Sequence, residues 1–309
     1  MQLAGKLGQP ASIRKKPAAL LTGERGILWP LAFLAPFLVA FSVFLVYPVG
    51  YGLYISFTRW DLLTPPEWVG WDNYRRLARD TLFDRSFRNT LFFVALNVPL
   101  SVLIPLGLAV LVDHPVLGRG VFRSIFTTPL MMSVTTVSLL WVWFLNPTFG
   151  LVNHYLGMLG VPDHYWLNEK PWAMVAIVVT TVWWTTGFNL ILFLAGLQDI
   201  PEDLYDAAKI DGASGWSLFR NITLPGLRPT TLFVTATTII ASFRVFGQVY
   251  VMSNASGGPY DSTRTIVFHI YETGFRNFRM GSASAAAWIL FLVVAVFTLV
   301  QFRLFSERE

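Results

Sequence analysis

The sequence predicts an all-α integral membrane protein with six transmembrane helices. Hydrophobic residues make up 54% of the 309-residue chain and charged residues only 13%, a balance that a soluble domain cannot bury. Apolar runs recur along it, each close to the roughly 20 residues that a helix needs to cross hydrocarbon. The runs are continuously apolar and lack the period-two alternation of a barrel strand.

The first run, residues 26–58, follows a basic cluster of Lys6, Arg14, Lys15 and Lys16. Such a start imitates a signal peptide. The run is too long for that role and passes through Tyr47-Pro48-Val49-Gly50-Tyr51 without a small-residue cleavage site, so it is expected to remain as the first span. Residues 71–88 mix arginines with Tyr74 and Leu77 and are expected to lie as a helix in the outer interface, with Trp68 and Trp71 at headgroup level. The remaining spans follow at residues 89–112, 124–146, 171–198, 229–248 and 280–302. Pro30, Pro36, Pro99 and Pro105 are tolerated in them because neighbouring helices re-satisfy the freed carbonyls. The organisation is thus a tail over residues 1–26 and one membrane domain over residues 27–305. Six spans put both termini on one side. With Arg244 inside a span, the other basic residues divide 12 to 10 in favour of the amino-terminal side, and the dense first cluster places both termini in the cytoplasm.

Several classes of chemistry are disfavoured. No loop gathers Lys and Arg into a stripe interleaved with aromatics, so nucleic acid is not an expected partner. There is no cysteine and hence no disulfide or thiol chemistry. No G-x-x-x-x-G-K-[ST] loop is present to cradle ATP. The histidines His114, His154, His164 and His269 lack the spacing of a metal site. An ATP-independent channel or ion-coupled carrier is the alternative class, and it is disfavoured because the spans contain no Asp or Glu to bind a coupling ion.

Between the fourth and fifth spans lies a patterned polar stretch, residues 199–228. Pro201 with Glu202 and Asp203 suits a helix first turn. Leu204, Ala207 and Ala208 then share one face, with Ile210 as a further apolar knob. Gly212 permits a sharp bend, and a second short helix is expected from Ser214 to Arg220, ending before Leu224-Pro225. Asp206-Ala207-Ala208, then Gly212, then Ile222-Thr223-Leu224-Pro225 resembles the EAA loop of binding-protein-dependent ABC importer permeases, with Asp206 where that family usually has Glu. "VGWDNYRRL" (residues 69–77) and "FRVFGQVYVMSNASGGP" (residues 243–259) resemble the carbohydrate-uptake branch, although the acidic residue that this branch often carries near Gly247 is missing. The resemblance implies a MetI-like fold and a bacterial cytoplasmic membrane location. It also implies a sugar or related polar solute, with glycerol-3-phosphate or a glycerophosphodiester as the alternative cargo. The partners it implies are a second homologous permease, two copies of an ATP-binding subunit that hold ATP and magnesium, an extracytoplasmic solute-binding protein, and membrane lipid. On this reading the chain is a transport subunit rather than an enzyme. Leu204, Asp206, Ala207, Ala208, Gly212, Ile222, Leu224 and Pro225 would form its coupling contact.

Arg244 sits within the fifth apolar run. By helix rise it lies about 20 Å from both Pro229 and the Gly257-Gly258 turn, near mid-membrane, where a guanidinium must face something polar. One helical turn on, Gln248 would present an amide to the same cavity. The resemblance adds Thr185, Phe188 and, more loosely, Trp184 as residues lining a sugar path.

Overall fold

The computed structural model describes residues 24–113 and 119–306, with side chains given from 33 to 113 and from 120 to 303. The amino-terminal tail with its basic cluster, and His114, lie outside the described residues. The chain divides into two compact units, residues 1–52 and residues 53–309.

The first unit contributes a helix over Glu24–Phe41 that widens into a π turn at Ser42–Val46. In the second unit the long helices are Thr81–Asp113, Trp172–Gln198 and Met280–Ser306. Among the described residues four helices are long and apolar enough to cross a membrane, and a fifth crossing is reached if one bent pair counts as a single span. The third predicted span is that pair. It runs as Gly120–Met131 and Val134–Phe144 and turns by 105° between them. Pro129 sits in a 3₁₀ turn, and Ser133 then caps the second helix by accepting from the Thr136 amide. The fifth predicted span is also not one helix. It runs from Arg228 to Phe243, 16 residues, stops, and resumes as Gly247–Met252. The distance from Arg244 to the Gly257-Gly258 turn therefore cannot be taken from helix rise.

The predicted interfacial helix over residues 71–88 is corrected. Its helical part ends at Leu77 after six residues, and Thr81 already opens the second span. Asp80 makes the division: its carboxylate accepts from the Leu82 and Phe83 amides and caps the long helix.

The shape of residues 69–77 has a packing reason. Asn73 is buried and donates to the carbonyls of Ser56 and Thr58 at 2.9 and 2.8 Å, while its own carbonyl accepts from Ser282 at 3.2 Å. It ties the two-residue hairpin strands Thr58–Arg59 and Glu67–Trp68 to the start of the last helix. Gly281 makes the approach feasible, since a Cβ there would lie far inside van der Waals contact distance of the Thr58 carbonyl oxygen.

Beyond the broken fifth span, Gly257 and Gly258 have φ of 82° and 77°, a region closed to most other residues. A Cβ on Gly257 would sit 3.2 Å from Nε of Arg264. Arg264 is buried, with 8% of its side chain exposed; it pairs with Asp261 at 2.9 Å and with Glu272, and lies 4.9 Å over the Phe268 ring. Asn89 fastens this loop to the second span by donating to the Asp261 and Arg264 carbonyls at 2.7 and 3.0 Å. Nearby, His269 is buried with an unpartnered Nδ1. Burial pushes its imidazole below the ordinary value, a loss that the Asp80 carboxylate partly offsets.

The contact at Gly281 is directly testable. Gly281→Ala should lower the thermal stability of the detergent-solubilised protein by about 1–3 kcal/mol, the usual range for overpacking. Gly157→Ala, with no atom near its Cβ position, should not. Equal melting temperatures for the two variants would contradict the packing described.

Candidate functional site

Two regions carry the predicted site residues, and they lie at different levels of the bundle. The stretch over residues 199–228 packs at the carboxyl ends of the second and fourth spans, where Leu106, Ala109, Leu197, Ile200 and Leu227 form one apolar cluster. The first short helix covers Glu202–Ile210, with Pro201 as its cap and acidic residues in its first turn. Gly212 follows at φ 79° with open space where a Cβ would be, so the bend needs glycine for its dihedral and not for room. The second helix starts after Ser214, as expected, but does not stop at Arg220. It widens into a π turn over Phe219–Thr223 and continues through Leu224–Gly226. The wide turn delivers the Leu224 amide to the Phe219 carbonyl, and Pro225 follows at a place where its missing N–H is not needed.

Tyr205 donates to or accepts from Thr223 at 2.9 Å, which clamps the two helices together. Ile222 packs against the apolar cluster. Asp206 points to the surface and pairs with Lys209 at 2.9 Å. Leu204, Ala207 and Leu224 are exposed, and Ala208 is half-buried. A groove of about 370 Å³ runs between the helices, with Leu204, Ile222 and Pro225 on its walls. Ile210 is 87% exposed and Trp216 71% exposed, the latter 5.5 Å from Phe219. Trp216 is the residue that sequence reasoning missed here; its signal was a lone tryptophan in a polar loop.

The second region is a cavity of about 480 Å³ beside the break in the fifth span. All five predicted pathway residues, Trp184, Thr185, Phe188, Arg244 and Gln248, line it. Arg244 is exposed and caps the carboxyl end of the Arg228–Phe243 helix. Gln248 is buried at 6% exposure and reaches the cavity from the next helix. It arrives there across the break, not by one turn of a continuous helix. Trp184 donates to the Met132 carbonyl at 3.2 Å and so holds the hinge of the bent third element against the cavity. Gly187 allows that element to dock, because a Cβ would collide with the Phe126 carbonyl and Cα of Thr127. Gly247 packs on Val134, whose Cγ2 lies 3.0 Å from its Cβ position, so a side chain there would require Val134 to shift. Asn97, Ser242 and Phe246 also line the cavity; Ser242 and Phe246 flank Arg244 in the chain, whereas Asn97 comes from the second span, and no local pattern marked it.

The chain matches the family described as binding-protein-dependent transport system inner membrane component over residues 81–308. It belongs to that family of multi-pass membrane permeases. The lactose transport system permease protein LacF of Rhizobium radiobacter is 35% identical, with 90% of this chain and 94% of the relative covered. The sn-glycerol-3-phosphate transport system permease protein UgpA of Pectobacterium atrosepticum is 33% identical, with 91% and 94% covered. A crystal structure of a bacterial ABC transporter involved in the import of the acidic polysaccharide alginate aligns with a TM-score of 0.81 at 27% identity, with 92% of this chain and 96% of that chain covered.

The bend at Gly212 yields a test. Gly212→Val places a β-branched residue at positive φ, which costs about 1–2 kcal/mol locally. It should leave the protein inserted and folded while reducing co-purification of the ATPase subunit. Gly212→Asn, which tolerates the left-handed region, should retain most of it. Full ATPase association in the valine variant would contradict a coupling role for this bend.

Proposed function

We propose that this chain is one permease half of an ABC importer that moves a sugar or related polar solute inward by alternating access. A second homologous permease completes the pathway. Two copies of an ATP-binding subunit hold ATP with its magnesium, and an extracytoplasmic binding protein delivers the solute. The chain itself carries out no chemical reaction. Both termini and the stretch at residues 199–228 face the cytoplasm of a bacterial cell.

The observation that carries this reading is the convergence of the five pathway residues on one cavity. It offers a hydroxyl, an amide and a guanidinium for bonding and the rings of Trp184 and Phe188 for stacking. Exposed Leu204, Ile210 and Trp216 support the second element of the proposal, a docking face for the ATPase around Asp206, Ala207, Ala208, Gly212 and Leu224. The named cargoes of similar permeases, lactose and glycerol-3-phosphate, support a polyhydroxy solute.

Transport by this route requires a differential preference. ATP and the loaded binding protein must favour one conformation over the other, because uniform binding shifts no equilibrium.

Uptake kinetics test the pathway. Gln248→Ala and Thr185→Ala should each raise the apparent KM for solute uptake by about two- to tenfold, the loss of one hydrogen bond of roughly 0.5–1.5 kcal/mol. Assembly with the partner subunits should persist. Unchanged kinetics in both variants would remove these residues from the path.

A further inference from the structure

The polar groups of the cavity beside the broken fifth span are not evenly matched. The hydroxyl of Thr185 donates to the Thr181 carbonyl at 2.9 Å, that of Thr181 to the Ile177 carbonyl at 2.8 Å, and that of Thr237 to the Phe233 carbonyl at 2.9 Å. Ser242 donates to the Thr238 carbonyl at 2.7 Å and accepts from the Asn97 amide at 2.9 Å. These hydroxyl protons are committed to helix carbonyls, so the threonines offer lone pairs to the cavity.

Arg244 is the opposite case. A guanidinium has five N–H donors and no acceptor. It is the one charged side chain among the residues lining the cavity. None of the ion pairs among the described residues engages it. Its place at the carboxyl end of the Arg228–Phe243 helix gives it the partial negative charge of the helix terminus, which amounts to about half a unit. Exposed to the cavity and outside those ion pairs, the guanidinium offers its donors to whatever fills the cavity, and an anion is the acceptor that it binds most strongly.

We infer that the solute supplies it: the transported molecule carries a carboxylate, phosphate or sulfonate on a hydroxyl-rich body. The anionic group lies on Arg244 as acceptor for two guanidinium donors. The hydroxyls of the body donate to the threonine lone pairs, and its apolar face lies against Trp184 and Phe188. This inference rests on the reading of the cavity as the solute path.

The test is ATP-dependent uptake by the complete importer with its binding protein, for a charged pair of probes, glucuronate and glycerol-3-phosphate, and their neutral counterparts, glucose and glycerol, with lactose added. Uptake of an anionic probe is expected, with a fall of at least tenfold in Arg244→Gln and a smaller fall in Arg244→Lys, which keeps the charge. Uptake of neutral probes alone would overturn the anionic assignment and leave the sugar-importer reading in place. Anion uptake unaffected by Arg244→Gln would also overturn it. Uptake of no probe would remove both. If Arg244→Gln fails to assemble, the comparison of wild type with Arg244→Lys decides: an unchanged KM for the anion in the lysine variant, together with that failure, would make Arg244 a strut between subunits and contradict the inference.

Discussion

The cavity exists because a membrane helix stops at Phe243 without leaving its backbone unpaired. In hydrocarbon an unsatisfied amide or carbonyl costs several kcal/mol, so a break is tolerated only where other groups take over. Here the Arg244 and Val245 amides fold back onto the carbonyls of Ala241 and Ser242 at 3.1 and 3.2 Å. The Val245 carbonyl accepts from the hydroxyl of Thr265 at 3.0 Å. Thr90 on the second span accepts from the Ile266 amide at 2.9 Å, and the buried Arg264 cluster holds the connecting loop behind it. Remove these partners and the break would close or unravel, taking with it the placement of Arg244 and Gln248 on the cavity wall.

The same chain segment links that cavity to the helix pair at residues 202–226. From Gly215 to Phe243 the backbone is helical apart from one residue, Leu227, which is fully buried between the two pieces. Gly226 brings the piece before it against Ile200, whose Cδ1 lies 2.7 Å from the Cβ position. The helix that carries Arg244 at its far end therefore begins next to the clamp between Tyr205 and Thr223. A displacement of the two surface helices has a short, stiff route of about 24 Å, by helix rise over 16 residues, to Arg244 on the cavity wall. Such a route couples the two regions if the bundle has two packings that ATP and solute favour differently.

Much of this was readable in the sequence, for reasons that are local. Charge-free length marks the long helices, and positive φ at Gly212 and at Gly257-Gly258 is what glycine at those positions announces. The convergence of Trp184, Thr185 and Phe188 with Arg244 came from resemblance, not from pattern. What was not readable depends on distant partners. The 105° bend of the third element needs Gly187 and Trp184 from the fourth span. The continuation of the helix that starts at Gly215 past Pro225 needs a π turn, which has no composition signal. The short helix at residues 72–77 is overextended by the sequence pattern because the arginines up to Arg88 look interfacial, whereas Asp80 caps a new helix and places Arg85 and Arg88 in the second span.

On the proposed function, the exposed helix pair at residues 202–226 is an ATPase docking face in the cytoplasm. The most direct measurement places a photo-crosslinking side chain at Ile210, the most exposed apolar position of that face at 87%, in membranes of the native host, and identifies the adduct by mass spectrometry. The expected adduct is with a subunit bearing a G-x-x-x-x-G-K-[ST] loop, with greater crosslinking when ATP hydrolysis is blocked. An adduct confined to lipid, to this same chain or to the solute-binding protein outside the membrane would contradict it.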